Sequence, residues 1–447
     1  LHMGKTMKED LTVVVKYIKQ LYPPDFNVFS IYAELYHDYF ASQAKKSAES
    51  HLEDKDIYHL LSWVHDLYPK EMRKDHALAM ELDKVKLGSL LPSSLSKELE
   101  KKYLDSEEVT VKNLLSRCLD KEIQRWKEDK EPEMINGHFQ SELLGIFVIQ
   151  RIYSSQKQAK DISTALGEEL SCRLLKELPS FLRSYRDAFE DFKEKSKKHT
   201  CYKPIVIANI NNCWNFREYM EKYMAEKDDS KADILSILGD IENSGFDVLL
   251  QELFAQLKTR YKKFTENKWD SSDEVMNEII KTTSKHISDF QTLKEPFYHA
   301  IIEKIHALLV KQYIVRLLKK KVSLKTAAQQ QTLAQHISKN AADLEAFCTN
   351  NVPNHFLFSQ GSQATWLNSV LPKLAEIIRL QDLGAIKIEV ATLARTYPDI
   401  RKRHLEAFLH IKANLSRSEV RNILAYLADS TASTQSRAPL FSNINVS

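Results

Sequence analysis

The chain has 447 residues, with 64 Lys and Arg side chains against 61 Asp and Glu, and a formal net charge of +3 at pH 7. This near balance provides no general attraction for nucleic acid or a membrane, so an acidic partner must meet a local basic patch. Only 9 residues are glycine, although tight turns and phosphate-binding loops depend on glycine. The composition therefore disfavours β sandwiches, barrels and nucleotide-binding folds, and favours helices.

The first segments have the pattern of helices separated by prolines. The sequence predicts helices over Glu9–Gln20 and Leu35–Ala48, on either side of Pro23 and Pro24. No apolar run approaches the roughly 18 residues that a transmembrane helix needs. The first three residues do not resemble a signal peptide, and we expect a native amino-terminal region to precede them.

Charged and proline-containing stretches predict the joints between domains. Residues 127–137 are charged and contain a proline, residues 225–231 are charged, and residues 431–439 are rich in Ser, Thr and Ala. We therefore expect a helical bundle over 1–130 and a second helical segment over 131–227, either separate from the first bundle or continuous with it. One or more carboxyl-terminal bundles should cover 228–430. Residues 431–447 should form a mobile tail in which Leu440 and Phe441 are candidates for docking back.

Helical periodicity and capping signals continue in the second half of the chain. The apolar residues of one predicted helix face fall at steps of three and four: Ile302, Ile305, Leu309, Tyr313 and Leu317. The apolar run at residues 205–207 lies between helical segments and predicts a buried helix start. Ser271 with Glu274, and Ser416 with Glu419, have the spacing of a capping box, which predicts two helix starts.

Sequence motifs of catalysis and metal binding are absent. The chain contains no GxGxxG, GxxxxGK[ST], HExxH or GxSxG pattern. His59 and His65 are six residues apart, too far for two ligands on one helix face. The five cysteines are widely separated and odd in number, which indicates reduced thiols. We expect no metal, no cofactor and no catalytic residues, and hence a protein that is not an enzyme.

Clusters of basic residues are the candidate interaction sites. One cluster lies at the end of the helix over residues 300–320: Arg316, Lys319, Lys320 and Lys321, with Lys325 beyond it. A second cluster opens a helix after Pro398 and Asp399: Arg401, Lys402 and Arg403. The helix dipole favours cations at a carboxyl end, which is the ordinary explanation of the first cluster. At the amino end the dipole has the opposite sign, so the second cluster is the stronger candidate for an anionic partner.

Several segments, in order along nearly the whole chain, resemble the Sec-six family, exocyst complex component three. These segments are Tyr22-Pro23-Pro24, Phe29-Ser30-Ile31-Tyr32, His59–Val64 with Tyr68, Ala208–Cys213 with Phe216, Glu389–Leu393, Tyr397–Arg401 and His404–Leu409. The resemblance implies an all-α fold, an elongated rod of consecutive helical bundles, as in subunits of vesicle-tethering complexes. Residues 411–414 depart from it, because the family commonly has a small residue, glycine and aspartate there. This points to an M-Sec-like or exocyst-component-three-like paralogue, and leaves exocyst membership open.

The resemblance also implies a function. It implies a non-enzymatic scaffold in exocytosis, vesicle tethering or the formation of membrane protrusions such as nanotubes, cytoplasmic and peripheral at the plasma membrane. The implied partners are a Ral-type small GTPase, other exocyst subunits and SNARE proteins, met through the basic clusters. Acidic phosphoinositides would be bound chiefly by a region that precedes this chain, and nucleic acid is not expected. The alternative is a membrane-remodelling protein that binds acidic phospholipids directly and acts independently of the exocyst.

Overall fold

The computed structural model describes residues 2–224, 229–350, 361–427 and 439–446. Within these ranges the secondary structure is helical except for one short hairpin and an isolated bridge, which confirms the predicted all-α class. The chain divides into two compact units. Unit 1 comprises residues 1–130, 141–196 and 212–240, and unit 2 comprises residues 131–140, 197–211 and 241–447.

Eight helices belong to unit 1 alone among the described residues. They are α1 (His2–Val13), α2 (Val28–Glu49), α3 (Asp54–Ser62), α4 (Tyr68–Arg73), α5 (His76–Leu82), α6 (Ser93–Lys127), α7 (Val148–Ile162) and α8 (Thr164–Lys195). Widened π-helical turns follow α1 and α3 and precede α7. Helix α8 packs against both α6 and α7, so these three long helices form the centre of the unit.

The core of unit 1 follows from the spacing of apolar residues on α8. Its buried side chains recur at steps of three and four: Leu170, Leu174, Leu178, Leu182, Tyr185 and Phe189. Near its start, α8 approaches α7 closely at Gly167, where a Cβ atom would lie 2.7 Å from the Cβ of Lys160. A glycine is required at this crossing because no other residue leaves room for the neighbouring backbone.

Helices α9 (Tyr202–Tyr223) and α10 (Asp229–Glu266) contribute residues to both units. Ile205, Val206 and Ile207 lie in the first turns of α9 and are buried, which confirms the predicted buried helix start. The predicted joint at residues 225–231 lies partly outside the described residues. The proposed domain boundaries at 130 and 227, and the rod-like overall shape, stay predictions.

The other helices belong to unit 2. They are α11 (Ser272–Ser288), α12 (Glu295–Leu317), α13 (Ala327–Glu345), α14 (Val370–Arg379), α15 (Leu383–Thr396), α16 (Lys402–Leu409) and α17 (Arg417–Ala425). Strands β1 (Met134–Ile135) and β2 (His138–Phe139) pair antiparallel in the same unit. Among these helices α13 packs against α11 and α14, and α15 and α16 pack against α17.

Helix α12 provides much of the core of unit 2. The predicted stripe from Ile302 to Leu317 is buried at all five positions. The Trp269 indole donates to the Tyr313 hydroxyl over 2.9 Å, and that hydroxyl donates to Asn340 Oδ1 over 2.8 Å. Because the Trp269 N–H and the Tyr313 O–H each have an acceptor, these large aromatic side chains pack here with their own donors paired, although Asn340 Nδ2 has no partner among the described residues.

The two predicted capping boxes have different outcomes. Ser416 caps α17, since its Oγ accepts from the Glu419 N–H at 3.3 Å and the Glu419 carboxylate accepts from the Ser416 N–H at 2.7 Å. The helix start predicted at Ser271 is confirmed, since Ser271 is the N-cap residue of α11, but its side chain makes no capping hydrogen bond with that helix. Its Oγ accepts instead from the Asn267 side-chain amide at 2.9 Å. Spacing alone does not reveal such a competing partner.

Candidate basic interaction surface

Helix α16 begins with a backbone arrangement that orders its three basic residues. Arg401 is extended, and its N–H donates to His404 Nδ1 over 3.0 Å. The His404 imidazole therefore accepts at Nδ1 and donates from Nε2 to the Ile444 carbonyl over 2.9 Å. Burial lowers the pKa of His404, which keeps the ring neutral. One histidine thus joins the start of α16 to the carboxyl-terminal segment.

Asp399 fixes the same segment by accepting hydrogen bonds from three consecutive backbone N–H groups. Its Oδ2 lies 2.7 Å from the Leu440 nitrogen, 2.6 Å from that of Phe441 and 2.8 Å from that of Ser442. A carboxylate in such a ring of N–H groups forms strong, charge-assisted bonds.

The carboxyl-terminal segment contains Leu440 and Phe441, the two candidates for docking back onto the fold. Leu440, Phe441 and Ile444 are buried, and the Phe441 ring lies 6.1 Å from that of Tyr397 and 5.8 Å from that of His404. Leu440 and Phe441 therefore dock onto the fold as expected, and the mobile tail over 431–447 stays a prediction. Residues 431–438 lie outside the described residues.

Arg401, Lys402 and Arg403 are all exposed at the beginning of α16. Within the described part of the chain, none of the three forms an ion pair. Three adjacent cations at a helix amino end oppose the helix dipole and repel one another. Neither local stability nor an internal partner therefore accounts for this cluster.

The first predicted cluster, at the end of α12, is only partly a surface feature. Arg316 is 8% exposed on α12, and its Nε has no hydrogen-bond partner among the described residues. Burial lowers the pKa of this guanidinium, although nearby Glu266 acts in the opposite direction. Its inclusion in an exposed basic cluster is therefore corrected: Arg316 belongs to the core. Lys319 is half-buried, whereas Lys320 and Lys321 are exposed beyond the end of the helix.

Backbone pairing brings the two clusters to opposite ends of α16. The Leu324 N–H donates to the Ile411 carbonyl over 2.8 Å, and the Ala413 N–H donates to the Leu324 carbonyl over 3.0 Å. Leu324, three residues after Lys321, therefore lies beside the residues that follow the carboxyl end of α16. Since the helix has eight residues, its two ends are about 12 Å apart. We call Arg401, Lys402, Arg403, Lys320 and Lys321 the α16 basic surface.

A buried lysine beside this surface was not predicted. Lys412 is 2% exposed, and its ammonium donates to Gln330 Oε1 at 2.7 Å, the Ile378 carbonyl at 2.8 Å and the Leu380 carbonyl at 2.6 Å. Burial lowers its pKa to about 8. The two carbonyls lie at the end of α14, where the helix dipole favours a cation. Lys412 lies in the stretch that departs from the family pattern, and its role is to hold α14 and α16 together.

The asparagines of the family-like stretch 208–213 are also structural. In unit 2, the Asn211 side chain donates to the Phe139 carbonyl at 2.7 Å and the Thr292 carbonyl at 2.9 Å, and accepts from the Lys294 N–H at 2.8 Å. In unit 1, Asn212 accepts from the Ser141 N–H at 3.0 Å. Both asparagines are buried, so they stabilise loops and are not displayed to a partner.

The described residues hold no group of three or more His, Cys, Asp or Glu side chains suited to a metal ion. None of the described helices has the length and apolar character needed to cross a membrane. The features that stand out are exposed, unpaired cations on an ordered helix of an all-α protein. These cations form the candidate interaction site of this all-α protein.

Comparisons with known proteins identify the family. The model of "Exocyst complex component Sec6" matches residues 1–417. Tumor necrosis factor alpha-induced protein 2 of Mus musculus is 46% identical over the whole chain, which covers 63% of that protein. The crystal structure of M-Sec matches with a TM-score of 0.93 at 45% identity, covering all of this chain and 76% of that one. The chain therefore belongs to the Sec-six family of exocyst components, as its sequence indicated.

A more distant structure agrees in fold. The carboxyl-terminal domain of the exocyst subunit Sec6p matches 80% of this chain and 99% of its own, with a TM-score of 0.58 at 10% identity. The similarity to M-Sec is much higher, which agrees with the expected M-Sec-like paralogue. The chain spans about two-thirds of the length of the tumor necrosis factor alpha-induced proteins that it matches.

Proposed function

We propose that this protein is a non-enzymatic scaffold that uses the α16 basic surface to bind an acidic partner at the cytoplasmic side of the plasma membrane. The partner is a Ral-type small GTPase or another exocyst subunit, and SNARE proteins belong to the same assembly. The role is in exocytosis, vesicle tethering or the formation of membrane protrusions such as nanotubes. Membership of an exocyst-related family supports the general role.

One observation carries this proposal: Arg401, Lys402 and Arg403 are exposed, adjacent and without ion pairs among the described residues. Their helix is held at both ends, by Asp399 and His404 at its start and by pairing with Leu324 after its end. A partner therefore meets charges whose backbone is already ordered, and binding requires less loss of conformational entropy.

The charges determine how binding proceeds. Exposed cations at the rim of an interface accelerate the encounter with an acidic surface more than they strengthen the final complex. Their effect is screened by salt, with a Debye length of about 8 Å at physiological ionic strength. Binding through the α16 basic surface should therefore weaken as salt rises.

A charge reversal tests the assignment. We expect Arg401→Glu, Lys402→Glu and Arg403→Glu together to weaken binding to a purified, GTP-loaded Ral-type GTPase or exocyst subunit by about 10-fold or more. The matched control reverses Lys258, Lys262 and Lys263, which are exposed on α10. Circular dichroism should show unchanged helix content in both variants. Equal binding by the wild type and the α16 variant would contradict the proposal.

The alternative function, direct binding of acidic phospholipids independently of the exocyst, uses the same cations. It is favoured by the absence of any protein group paired with them in the described residues. Sedimentation with phosphoinositide-containing vesicles distinguishes the two. Vesicle binding that the α16 reversal removes, together with unchanged binding to protein partners, would favour the alternative.

A further inference from the structure

The start of unit 1 exposes an unusual number of large apolar side chains. Ten of the twenty exposed large apolar side chains among the described residues lie within the first 39 positions. Leu35 is 65% exposed, Tyr17 63% and Leu21 76%. Exposed apolar side chains are ordinary when scattered, but a contiguous group indicates an interaction site.

Helix α2 is apolar on two opposite sides. Its buried side includes Ala33, Phe40 and Ala44. Its outer side carries a stripe at steps of four, Ile31, Leu35 and Tyr39, with Tyr32 beside it, and all four are exposed. A helix that is apolar on both sides is normally covered on both.

The apolar stripe of α2 is adjacent to α1. The Tyr36 hydroxyl donates to the Asp10 carboxylate, which joins the two helices on the side next to Tyr32. Tyr17 and Leu21, one helical turn apart after α1, add further exposed apolar area. The exposed apolar side chains thus lie on α2 and on the segment that follows α1.

The other edge of the stripe is acidic. Glu34 and Asp38 are exposed, and neither forms an ion pair within the described ranges. No Lys or Arg occurs between Val28 and Gln43. Like charges four residues apart destabilise a helix by about 0.2–0.5 kcal/mol, so the stability of α2 does not explain this pair.

We propose that the α2 face, defined as Ile31, Tyr32, Leu35 and Tyr39 with the acidic edge of Glu34 and Asp38, binds an amphipathic helix of a partner that carries Lys or Arg beside its apolar stripe. A helix is the fitting occupant because α2 offers a ridge of side chains at steps of four. It offers no unpaired backbone edge to which a strand could add. The charge of the occupant follows from the acidic edge.

Two synthetic peptides test this proposal. Each is an 18-residue helix with leucines at i, i+3, i+4 and i+7, and lysines along one edge in the first peptide are replaced by glutamates in the second. We expect fluorescence anisotropy to show at least about 10-fold tighter binding of the lysine peptide. The double variant Glu34→Lys and Asp38→Lys should reverse this preference.

Variants of the apolar stripe separate the contribution of apolar contact from the contribution of charge. Leu35→Ser with Tyr39→Ser should weaken binding of the lysine peptide by about 10-fold or more, because both side chains would lose their buried contact. The control Ile388→Ser changes a residue that is 67% exposed on α15. The control Glu218→Lys with Glu221→Lys makes the same charge change on α9. Neither control should alter peptide binding, and all variants should melt like the wild type.

Three results would overturn the proposal. The first is equal binding of the two peptides, or binding that the Leu35 and Tyr39 variant leaves unchanged. The second is a dimer in sedimentation that this variant dissociates, because a second copy would then cover the face. The third is protection of α2 from hydrogen exchange by another part of a longer form of the chain.

Discussion

Several single residues have roles that their type alone does not reveal. Arg316 and Lys412 are basic but buried, whereas His306 and His404 are buried and neutral. In each case the neighbouring groups determine whether the side chain is exposed as a charge, is buried with hydrogen-bond partners or is uncharged.

We predict that the buried charge of Arg316 does not stabilise the fold. Replacing Arg316 with Met keeps an apolar side chain of similar length and removes a charge whose Nε has no partner. We expect the free energy of unfolding to stay equal or to rise by about 1 kcal/mol in urea titration. The control Lys320→Met, at an exposed site, should change it by less than about 0.5 kcal/mol. A loss of more than about 2 kcal/mol for Arg316→Met would show that the guanidinium stabilises the fold.

His306 predicts a dependence of stability on pH. Its Nε2 donates to Asn368 Oδ1 at 2.9 Å, and the Ser362 hydroxyl donates to its Nδ1 at 2.8 Å. Burial lowers its pKa from 6.5 to about 4, so the unfolded chain binds this proton more readily. The stability contribution is complete above pH 6.5 and is lost as pH falls towards 4, by about 2 kcal/mol between pH 7 and 5.

Chemical denaturation at the two pH values measures this effect. His306→Gln should show a smaller decrease in stability between pH 7 and 5 than the wild type, by about 2 kcal/mol. Other buried histidines contribute equally to both proteins, so the difference isolates His306. Equal decreases would contradict the assignment.

At the scale of elements, close helix packing and the docked terminal segment determine which substitutions the fold tolerates. Gly245 lies where a Cβ atom would be 2.6 Å from Ile210 of α9, whereas a Cβ at Gly239 on the same helix would meet nothing within 4 Å. The terminal segment is held by the Asp399 carboxylate, by the hydrogen bond from His404 to the Ile444 carbonyl and by its buried apolar side chains.

The two glycines of α10 predict substitutions of opposite sign. Gly239→Ala should stabilise the protein by about 0.5–1 kcal/mol, because alanine favours the helix and reduces the freedom of the unfolded chain. Gly245→Ala should destabilise it by about 1–3 kcal/mol, because the added methyl group displaces Ile210. Urea titration of both variants measures the signs, and stabilisation by Gly245→Ala would contradict the close contact.

Asp399→Ala should release the carboxyl-terminal segment without unfolding α16. The change removes an acceptor shared by three backbone N–H groups, and we expect amide exchange at Leu440–Ser442 to accelerate by about 10-fold or more. Hydrogen exchange with mass spectrometry measures this. The control Glu406→Gln, at an exposed site on α16, should leave exchange there unchanged. Equal exchange in Asp399→Ala and the wild type would show that apolar packing and the His404 hydrogen bond hold the segment without this carboxylate.

At the scale of the whole molecule, the sequence predicts the helices well because their periodicity is local. The predicted stripe on α12 is confirmed, and the family follows from ordered motifs along the chain. The hairpin of β1 and β2 was missed, although its turn, Asn136-Gly137, is a strong hairpin signal. Both residues have positive φ, 52° and 83°.

The errors concern side chains whose surroundings come from distant parts of the chain. Arg316 lies three residues after Tyr313 and seven after Leu309, so helical spacing placed it near the buried face, but its charge suggested a surface role. The contacts of Lys412 with Ile378 and Leu380, and of Asp399 with Leu440–Ser442, join segments more than thirty residues apart. No local sequence pattern predicts contacts between such distant residues.

The most direct measurement is affinity purification of the full-length protein from cells, with and without a GTP-locked Ral-type GTPase, compared with the Arg401, Lys402 and Arg403 reversal. The account predicts that the wild type recovers the GTPase or exocyst subunits, that salt weakens this recovery, and that the reversal loses it while the α10 control retains it. Recovery of the same partners by the α16 reversal, in equal amounts, would contradict the claim that this basic surface is where the scaffold binds.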